Sequence, residues 1–341
     1  MRSGYYDDAE GNGEAAALLQ ASPRTHEGSK PPRRGCEDAP LTIVIVSYNS
    51  GAVLGDLLDS VPDGLAGVSS FDVVVCDNDS RDASADLAAT HPTRPRVIRM
   101  GRNAGYATAI NAATATVSPA ANVLILNPDL RLQPGAVRAM LDSMVNPSTG
   151  IAVPRTLQTD GTLDPTIRRE PSVWTAWADS LLGGRLAARF GLGETVNDRT
   201  LYERGGSIEW ASGCALLVAA RARRAAGAWD ESFFLYSEEV DYQRRVRAYG
   251  FEITYVPQAS VVHDGGDCHT NPWLFALLTA NRIRYFARHH GAVSTFVFRL
   301  GVAAGEAFRA ASGPTHRAAL VRALSPLPVS SPPITHAGVS N

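Results

Sequence analysis

From Leu41 to Val46 the chain is an unbroken run of apolar and β-branched residues, and the polar turn SYNSG follows it. Val53, Leu54, Leu57, Leu58 and Val61 then recur at the spacing of one helix face. The same order of strand, loop and helix returns with Phe71–Val75, the segment DNDSRD and a helix near Ala83–Thr90. It returns again with Val97–Met100, the Gly101–Gly105 loop and a helix over Tyr106–Ala115. A fourth strand, Asn122–Leu126, runs into Asn127-Pro128-Asp129, and Pro134 and Gly135 open a further helix. Fully apolar strands alternating with helices predict an α/β fold with a mostly parallel sheet covered on both faces.

Beyond residue 150 the pattern loosens. A short strand lies between 151 and 170, which also holds the turn Asp160-Gly161 and the basic pair Arg168-Arg169; Trp174–Leu182 has helical spacing, and 183–206 reads as a Gly- and Arg-rich loop. Ile208–Ala220 is apolar but broken at Ser212-Gly213, and a short helix follows over Arg221–Ala226. An acidic group at Glu238, Glu239 and Asp241 opens a helix that runs to Tyr249 and is closed by Gly250. Two strands, Phe251–Val256 and Val261–His263, precede helices over Asn271–His289 and Val293–Ala311. In the last helix Arg299 and Glu306 share one face while Phe296, Val297, Leu300, Ala304 and Phe308 occupy the rest. Packing against the core and docking on a membrane surface are both open for it.

The ends differ from the middle. Residues 1–39, rich in Gly, Pro, Ser and charge, read as a disordered arm, and the Pro- and Ser-rich end reads as a disordered tail. The expected organisation is therefore the arm, a folded domain over 40–268 with halves 40–150 and 151–268, helices over 269–312, and a tail over 313–341.

Composition narrows the function classes. A formal net charge of -2 over 341 residues gives no global basic field, so nucleic acid is not an expected partner. Lys30 is the sole lysine among 32 basic residues, a bias that genome composition explains at least as well as phosphate binding. Cys36, Cys76, Cys214 and Cys268 form no zinc spacing, and the N-terminus has no apolar core of signal-peptide length. A cytoplasmic location is expected. No apolar run approaches the roughly 18 residues of a membrane span.

Ligands of such sheets sit beyond the carboxyl ends of the strands. Polar residues cluster there four times: Ser47, Tyr48 and Asn49; Asp77, Asn78 and Asp79; Arg102 and Asn103; Asn127 and Asp129. Transfer of a sugar from a nucleotide diphosphate needs a divalent cation to neutralise the leaving group. Asp129, stiffened by Pro128, supplies one candidate ligand, and His263, also at a strand end, a second. The acceptor hydroxyl needs a base, and Glu238, Glu239 and Asp241 offer carboxylates at a helix N-terminus. Asp241 lies two positions past Glu239, so the three cannot share one direction.

The ordered series Ile45-Val46-Ser47-Tyr48-Asn49, Val75-Cys76-Asp77-Asn78-Asp79-Ser80-Arg81-Asp82, Gly101-Arg102-Asn103-Ala104-Gly105-Tyr106 with Asn111, Asn127-Pro128-Asp129, Trp210-Ala211-Ser212-Gly213-Cys214, Phe233 through Asp241 and Val262-His263 resembles the family 2 glycosyltransferases of GT-A fold. Within them it is similar to bacterial rhamnosyltransferases. The resemblance spans about Leu41 to His290. It implies the GT-A nucleotide-diphospho-sugar transferase fold, a mostly parallel central sheet flanked by helices with a helical C-terminal extension. It also implies an inverting glycosyltransferase that uses Mg2+ or Mn2+. Its donor would be a nucleotide-diphosphate sugar, dTDP-rhamnose being favoured. Its acceptor would be a cell-wall or surface-polysaccharide glycan, in one form polyprenyl-diphosphate-linked, with peripheral contact at the inner face of the plasma membrane.

The resemblance also carries residue roles. Ser47, Tyr48, Asp77 and Asn78 would line the base and ribose pocket, and Arg102, Asn103 and Gly105 the nucleotide-sugar cleft. Trp210, Ser212, Gly213 and Cys214 would lie near donor sugar and acceptor. Asp129 and His263 would hold the metal, and Glu239 would be the base. Many relatives carry Glu-Asp where this chain has Glu238-Glu239, which leaves Glu238 as the alternative base.

Two other classes compete. A dinucleotide-dependent oxidoreductase should show G-x-G-x-x-G after the first strand, and SYNSG stands there instead. A non-catalytic nucleotide-sugar-binding protein would bind the donor without releasing nucleoside diphosphate, and joint retention of Asp129, Glu239 and His263 argues against it.

Overall fold

The structure, a computed structural model, describes residues 40–265 and 270–326; the expected arm over 1–39, Cys36, Cys268 and the tail from residue 327 lie outside them. The first half is built as the hydrophobic pattern predicts. β1 (Leu41–Ser47), β2 (Phe71–Asp77), β3 (Arg96–Arg99) and β4 (Asn122–Leu126) run parallel in the order β3-β2-β1-β4. They alternate with α1 (Leu54–Gly64), α2 (Ser84–Thr90) and α3 (Tyr106–Thr114). β1 and β4 are buried along their whole length, which is why they read as continuous apolar runs rather than alternating ones.

The second half inserts antiparallel strands. β5 (Leu130–Leu132), α4 (Ala136–Ser143), β6 (Thr149–Leu157), β7 (Ile167–Arg168), α5 (Val173–Leu182), α6 (Gly184–Arg189) and α7 (Arg199–Arg204) lead to β8 (Gly206–Ile208), β9 (Trp210–Ala211) and β10 (Ala215–Val218). α8 (Ala220–Ala226), α9 (Glu238–Ala248) and β11 (Glu252–His263) complete the domain. β10 is antiparallel to both β4 and β6, and β11 is parallel to β6 but antiparallel to β5 and β8. The expected α/β fold with a central sheet flanked by helices is present; its strands run parallel from β3 to β4 and are mixed beyond β4. β7 and β9 pair apart from it.

Three expectations change. The loop over 183–206 contains α6 and α7, the latter capped by Asp198, whose carboxylate accepts from Thr200 N and Leu201 N at 2.8 and 3.3 Å. The two strands after Phe251 are one, β11, because Pro257, which cannot donate to a ladder, falls in a register shift between Val256 and Ser260. The tail expected from residue 313 begins with α12 (Pro314–Leu324), started by Pro314 at its first turn. Its Ala323 joins Ile283 and Phe286 of α10 (Pro272–His289) and Phe298 and Val302 of α11 (Ala292–Arg309) in a second small core.

Loop packing fixes the strand ends. Asn78 N donates to Ser47 O at 2.8 Å, Gly51 N to Asp82 Oδ2 at 2.8 Å and Arg81 N to Asn49 Oδ1 at 2.8 Å, so SYNSG and DNDSRD interlock. Gly105 joins the two halves. It sits at φ +93°, Tyr106 N donates to Phe234 O at 2.8 Å, and a Cβ on Gly105 would lie 2.5 Å from that carbonyl oxygen. Gly101 has a similar positive φ but open space around it.

Gly105→Ala should therefore cost about 2 kcal/mol or more, while Gly101→Ala should cost only about 1 kcal/mol of backbone strain. Thermal melts of the two variants measure the difference; equal shifts would mean that contact with Phe234 adds nothing.

Candidate active site

Two groups of polar residues stand at the carboxyl ends of the strands. The first follows β1, β2 and β3. Ser47 and Asp77 are paired in register at the ends of β1 and β2, and both are buried. Asp77 Oδ2 accepts from Ser80 N at 3.2 Å, but Asp77 Oδ1 and Ser47 Oγ are buried without a hydrogen-bond partner. Unpaired buried polar atoms are costly, so two on neighbouring strand ends mark a place suited to a polar ligand. Tyr48 is half-buried and Arg102 exposed beside them. Asn78 turns inward instead: its Nδ2 donates to Asn103 Oδ1 at 2.8 Å and to Gly105 O at 3.3 Å, and its Oδ1 accepts from Ala104 N at 2.9 Å. Asn78, Asn103 and Gly105 are thereby engaged in holding the loop before α3.

The second group surrounds a cavity of about 830 Å³. Asp129, Trp210, Ser212, Gly213, Cys214, Glu238, Glu239 and His263 all line it, whereas the residues of the first group do not. Antiparallel pairing places His263 opposite Leu130, the residue after Asp129, and brings His263 Nε2 to 3.3 Å from Asp129 Oδ2. Asp264 N donating to Asp129 O at 3.2 Å extends the same ladder. Burial works against charge on His263, but the Asp129 carboxylate outweighs it and the pKa is raised. Asp129 Oδ1 is buried without a partner. An oxygen and an imidazole nitrogen side by side, one oxygen unpaired, suit a divalent cation whose remaining ligands come from elsewhere. Among the described residues no group of three or more His, Cys, Asp or Glu side chains is placed to hold one.

Glu238 and Glu239 enter from α9. Tyr236 and Ser237, just before them, sit at φ 70° and 72°, a conformation that costs non-glycine residues of order 1–3 kcal/mol each. This turn aims both carboxylates inward, and Oε2 of each is buried without a partner. They diverge. Glu238, 3% exposed, acts electrostatically on Tyr106, whose hydroxyl donates to Asn127 Oδ1 at 2.9 Å. Glu239 lies over Gly213, where a Cβ would be 3.0 Å from its own, and is influenced by Glu194. Burial raises both pKa values: that of Glu238 rises well above the usual carboxylate range, with Glu239 adding to it, and that of Glu239 is pushed up to about 7.

The third carboxylate stands apart. Asp241 is not among the residues lining the cavity, and its Oδ2 accepts from Arg245 Nε at 2.9 Å along the helix. Cys214 is buried between Thr156 Oγ1 at 3.7 Å and Ser212 Oγ at 3.9 Å, and burial pushes its thiol up to about 11, so it fills space rather than reacts. Trp210 donates from Nε1 to Arg169 O at 2.8 Å and packs on Phe233 and Tyr285.

The far wall was not read from the sequence. It is made by Asp179 of α5, Glu194, and Arg282 and Tyr285 of α10. Arg282 pairs with Glu194 at 2.6 Å and lies 3.9 Å from Asp179. Glu170 accepts from Arg244 at 2.9 Å, from Arg247 and from Tyr285, tying α9 to α10 behind the cavity.

A mixed α/β sheet whose cation-compatible strand end and two inward-turned carboxylates line one cavity fits a nucleotide-sugar transferase type of centre. Residues 42–204 match the family described as Glycosyl transferase family 2. The N-acetylglucosaminyl-diphospho-decaprenol L-rhamnosyltransferase of Mycobacterium tuberculosis, in strains CDC 1551 / Oshkosh and ATCC 25618 / H37Rv, is 30% identical over 234 residues, 65% of this chain and 75% of that one. The chain belongs to the family 2 glycosyltransferases. Among solved structures, GalNAc-T7 with UDP, GalNAc and Mn2+ shares the GT-A fold at a TM-score of 0.50 and 13% identity, over 76% of this chain and 54% of that one. S. aureus TarS aligns at a TM-score of 0.46 and 13% identity over 73% of this chain, which spans 42% of TarS.

The raised pKa of Glu239 has a sign for stability. Between its usual 4.5 and about 7 the native carboxyl holds a proton that the unfolded chain has lost. Stability therefore falls as pH rises through this window and levels off above it. Glu239→Gln should raise Tm over wild type at pH about 8 and change it little at pH about 4.5; the same gain at both, read by calorimetry, would contradict a buried, unpaired carboxylate.

Proposed function

We propose that this chain is an inverting rhamnosyltransferase. It moves the sugar from a nucleotide-diphosphate donor, dTDP-rhamnose, to a hydroxyl of a cell-wall or surface-polysaccharide acceptor carried on a polyprenyl diphosphate, working at the inner face of the plasma membrane. The observation that carries the reading is that the Asp129–His263 pair and the half-buried Glu239, with one oxygen buried and unpaired, line one cavity. The name of the mycobacterial relative supports the sugar and the type of acceptor.

Ser47 and Asp77, with their unpaired buried atoms, receive the base and ribose, and Tyr48 and Arg102 flank them. A divalent cation, Mg2+ or Mn2+, held by Asp129 and His263 would supply neutralisation of the charge that develops on the leaving diphosphate. Glu239 takes the proton of the acceptor hydroxyl. A base with a pKa of about 7 is half-ionised near neutral pH and strong enough to accept that proton. Attack by the hydroxyl on the face opposite the leaving diphosphate is a single displacement, and a single displacement inverts the anomeric carbon. Glu238, more deeply buried and held neutral, stands on the donor side, where it can donate a hydrogen bond to the sugar.

Release of nucleoside diphosphate across dTDP-, UDP- and GDP-sugars with Mg2+ or Mn2+ tests the proposal; release with dTDP-rhamnose and a lipid-linked glycan is expected, and release from none would overturn it. Glu239→Gln should lower kcat by roughly 10²–10⁴-fold with donor affinity kept, and wild-type kcat/KM should fall below pH about 7. Full activity in that variant would move the base to Glu238. Asp129→Asn should abolish turnover and weaken the metal dependence of donor binding, and turnover at the wild-type rate would remove Asp129 from the site.

A further inference from the structure

The membrane side of this reading rested in the sequence on the C-terminal amphipathic helix alone, and the structure adds a second element to it. α5 and α11 lie side by side: Trp177 Nε1 donates to Val297 O at 3.1 Å, a Cβ on Gly301 would touch the Trp177 ring, and a Cβ on Gly305 would lie 3.1 Å from Ser180 Oγ. Both helices turn inward residues into one core, Ala176 with the partly buried Val173 from α5, and Phe298, Val302 and Ala303 from α11. Their opposite faces are consequently outward on the same side. On α5 and the α6 segment that face carries Trp174, 85% exposed, with Leu181, Leu186 and Phe190. On α11 it carries Val293, Phe296, Leu300 and Phe308, all exposed. A contiguous apolar surface of large side chains is uncommon on a protein that faces only water.

The exposed charges beside it are basic. Residues 171–193 hold Arg185 and Arg189 against Asp179 alone; residues 270–326 hold seven arginines against one carboxylate, Glu306, although Arg282, Arg284 and Arg288 among them turn to the cavity, to Ser232 and to Asp230. Neither carboxylate is free: Glu306 is 2.7 Å from His316 Nδ1, and Asp179 turns to the cavity. Arg185 and Arg189 are exposed beside Leu186 and Phe190. The two charges on Arg299 and Glu306 that gave α11 its polar face are likewise taken up by α12, Arg299 donating to Ala323 O and Ser325 O.

We infer that the outer faces of α5, α6 and α11 form one docking surface for an anionic lipid bilayer. Its apolar side chains enter the interface and the arginines of α6 meet lipid headgroups. The surface adjoins the reaction centre, because Pro171, Asp179, Glu194 and Thr195, at the two ends and on the inner flank of the same segment, line the cavity. An acceptor whose sugar occupies the cavity while its lipid remains in the bilayer would need to travel only across α5. The inference deepens the proposed function and rests on its lipid-linked acceptor.

Flotation of the full chain with vesicles of phosphatidylcholine and phosphatidylglycerol, and with phosphatidylcholine alone, tests it. Two variants, Trp174→Ser/Phe190→Ser and Phe296→Ser/Phe308→Ser, alter exposed residues on different elements, so that misfolding of one leaves the other informative. Wild type should float with the anionic vesicles, and each variant should bind them at least about tenfold more weakly while releasing nucleoside diphosphate at the wild-type rate with a short, water-soluble acceptor. Failure of wild type to float, or undiminished flotation of both variants, overturns the surface. Sedimentation showing a dimer that the substitutions dissociate overturns it in favour of a second copy of the chain. Vesicle binding without any turnover would instead sink the proposed function and leave the surface standing.

Discussion

Two adjacent carboxylates held out of water at the head of α9 are the constraint around which the second half of the molecule is arranged. Each buries an oxygen without a hydrogen-bond partner, a state that costs free energy and that a looser chain would relieve by turning outward. Several devices oppose that relief. Tyr236 and Ser237 take positive φ to start the helix at the right angle. Phe234 O receives Tyr106 N at the one point where the absence of a side chain on Gly105 allows the approach. Leu235 O accepts from Asn281 Nδ2 of α10 at 2.8 Å, and Glu170 gathers Arg244, Arg247 and Tyr285 behind the helix. Arg245 and Arg247 in the last turn and the carboxylates in the first also match the helix dipole. The stability given up at the carboxylates is what keeps Glu239 basic near neutral pH.

How much of this was legible beforehand follows from the range of the interactions concerned. β1, β4 and β2 from Val73 onward are buried on both faces, so their burial is written in consecutive residues, and the fourth strand is legible at both its ends. The direction of β10 was not, because an apolar run reads alike in either sense and its pairing between β4 and β6 is decided by residues far away in the chain. The apolar pattern shows two strands, Phe251–Val256 and Val261–His263, where one strand carries Pro257 within a register shift. α12 was missed for a different reason: its buried residues are alanines, Ala319 and Ala323, which give almost no hydrophobic period.

The candidate site divides in the same way. Asp129, Glu238, Glu239 and His263 stand at element ends, where a polar residue after an apolar run is visible, and the structure brings them to one cavity. Asp241 could be separated from Glu239 by helical geometry but not assigned, and its partner Arg245 four residues on explains where it went. Asn78 and Asn103 were grouped with ligand-binding residues, yet most of their hydrogen bonds hold the loop before α3. Asp179, Glu194, Arg282 and Tyr285 carry little local signal, since Asp179, Arg282 and Tyr285 lie within helical patterns that read as packing and Glu194 within a stretch that reads as loop. One signal was available in principle: Asp179 is the sole carboxylate between residues 171 and 193.

The cavity's own charge decides how the two ends of the reaction are coupled. Asp129, Asp164, Asp179, Glu194, Glu238, Glu239 and Asp264 line it, against Arg168, Arg282 and His263. Both guanidinium groups are engaged already, Arg282 with Glu194 and Arg168 with the carbonyls of Pro165 and Ile167. A diphosphate entering this wall meets carboxylates first, so its affinity depends on positive charge that arrives with it. His263 sharpens the point. Its pKa is raised beside Asp129, so on the proposed reading a proton and a cation would compete for the same pair of atoms. On the proposed reading, cation binding at Asp129 and His263 would be favoured by the donor's oxygens and by higher pH, and the ionisation of Glu239 is favoured by higher pH as well. One rise in pH would then ready the leaving-group side and the base together, although they sit on β5–β11 and on α9 and share no hydrogen bond among the described residues.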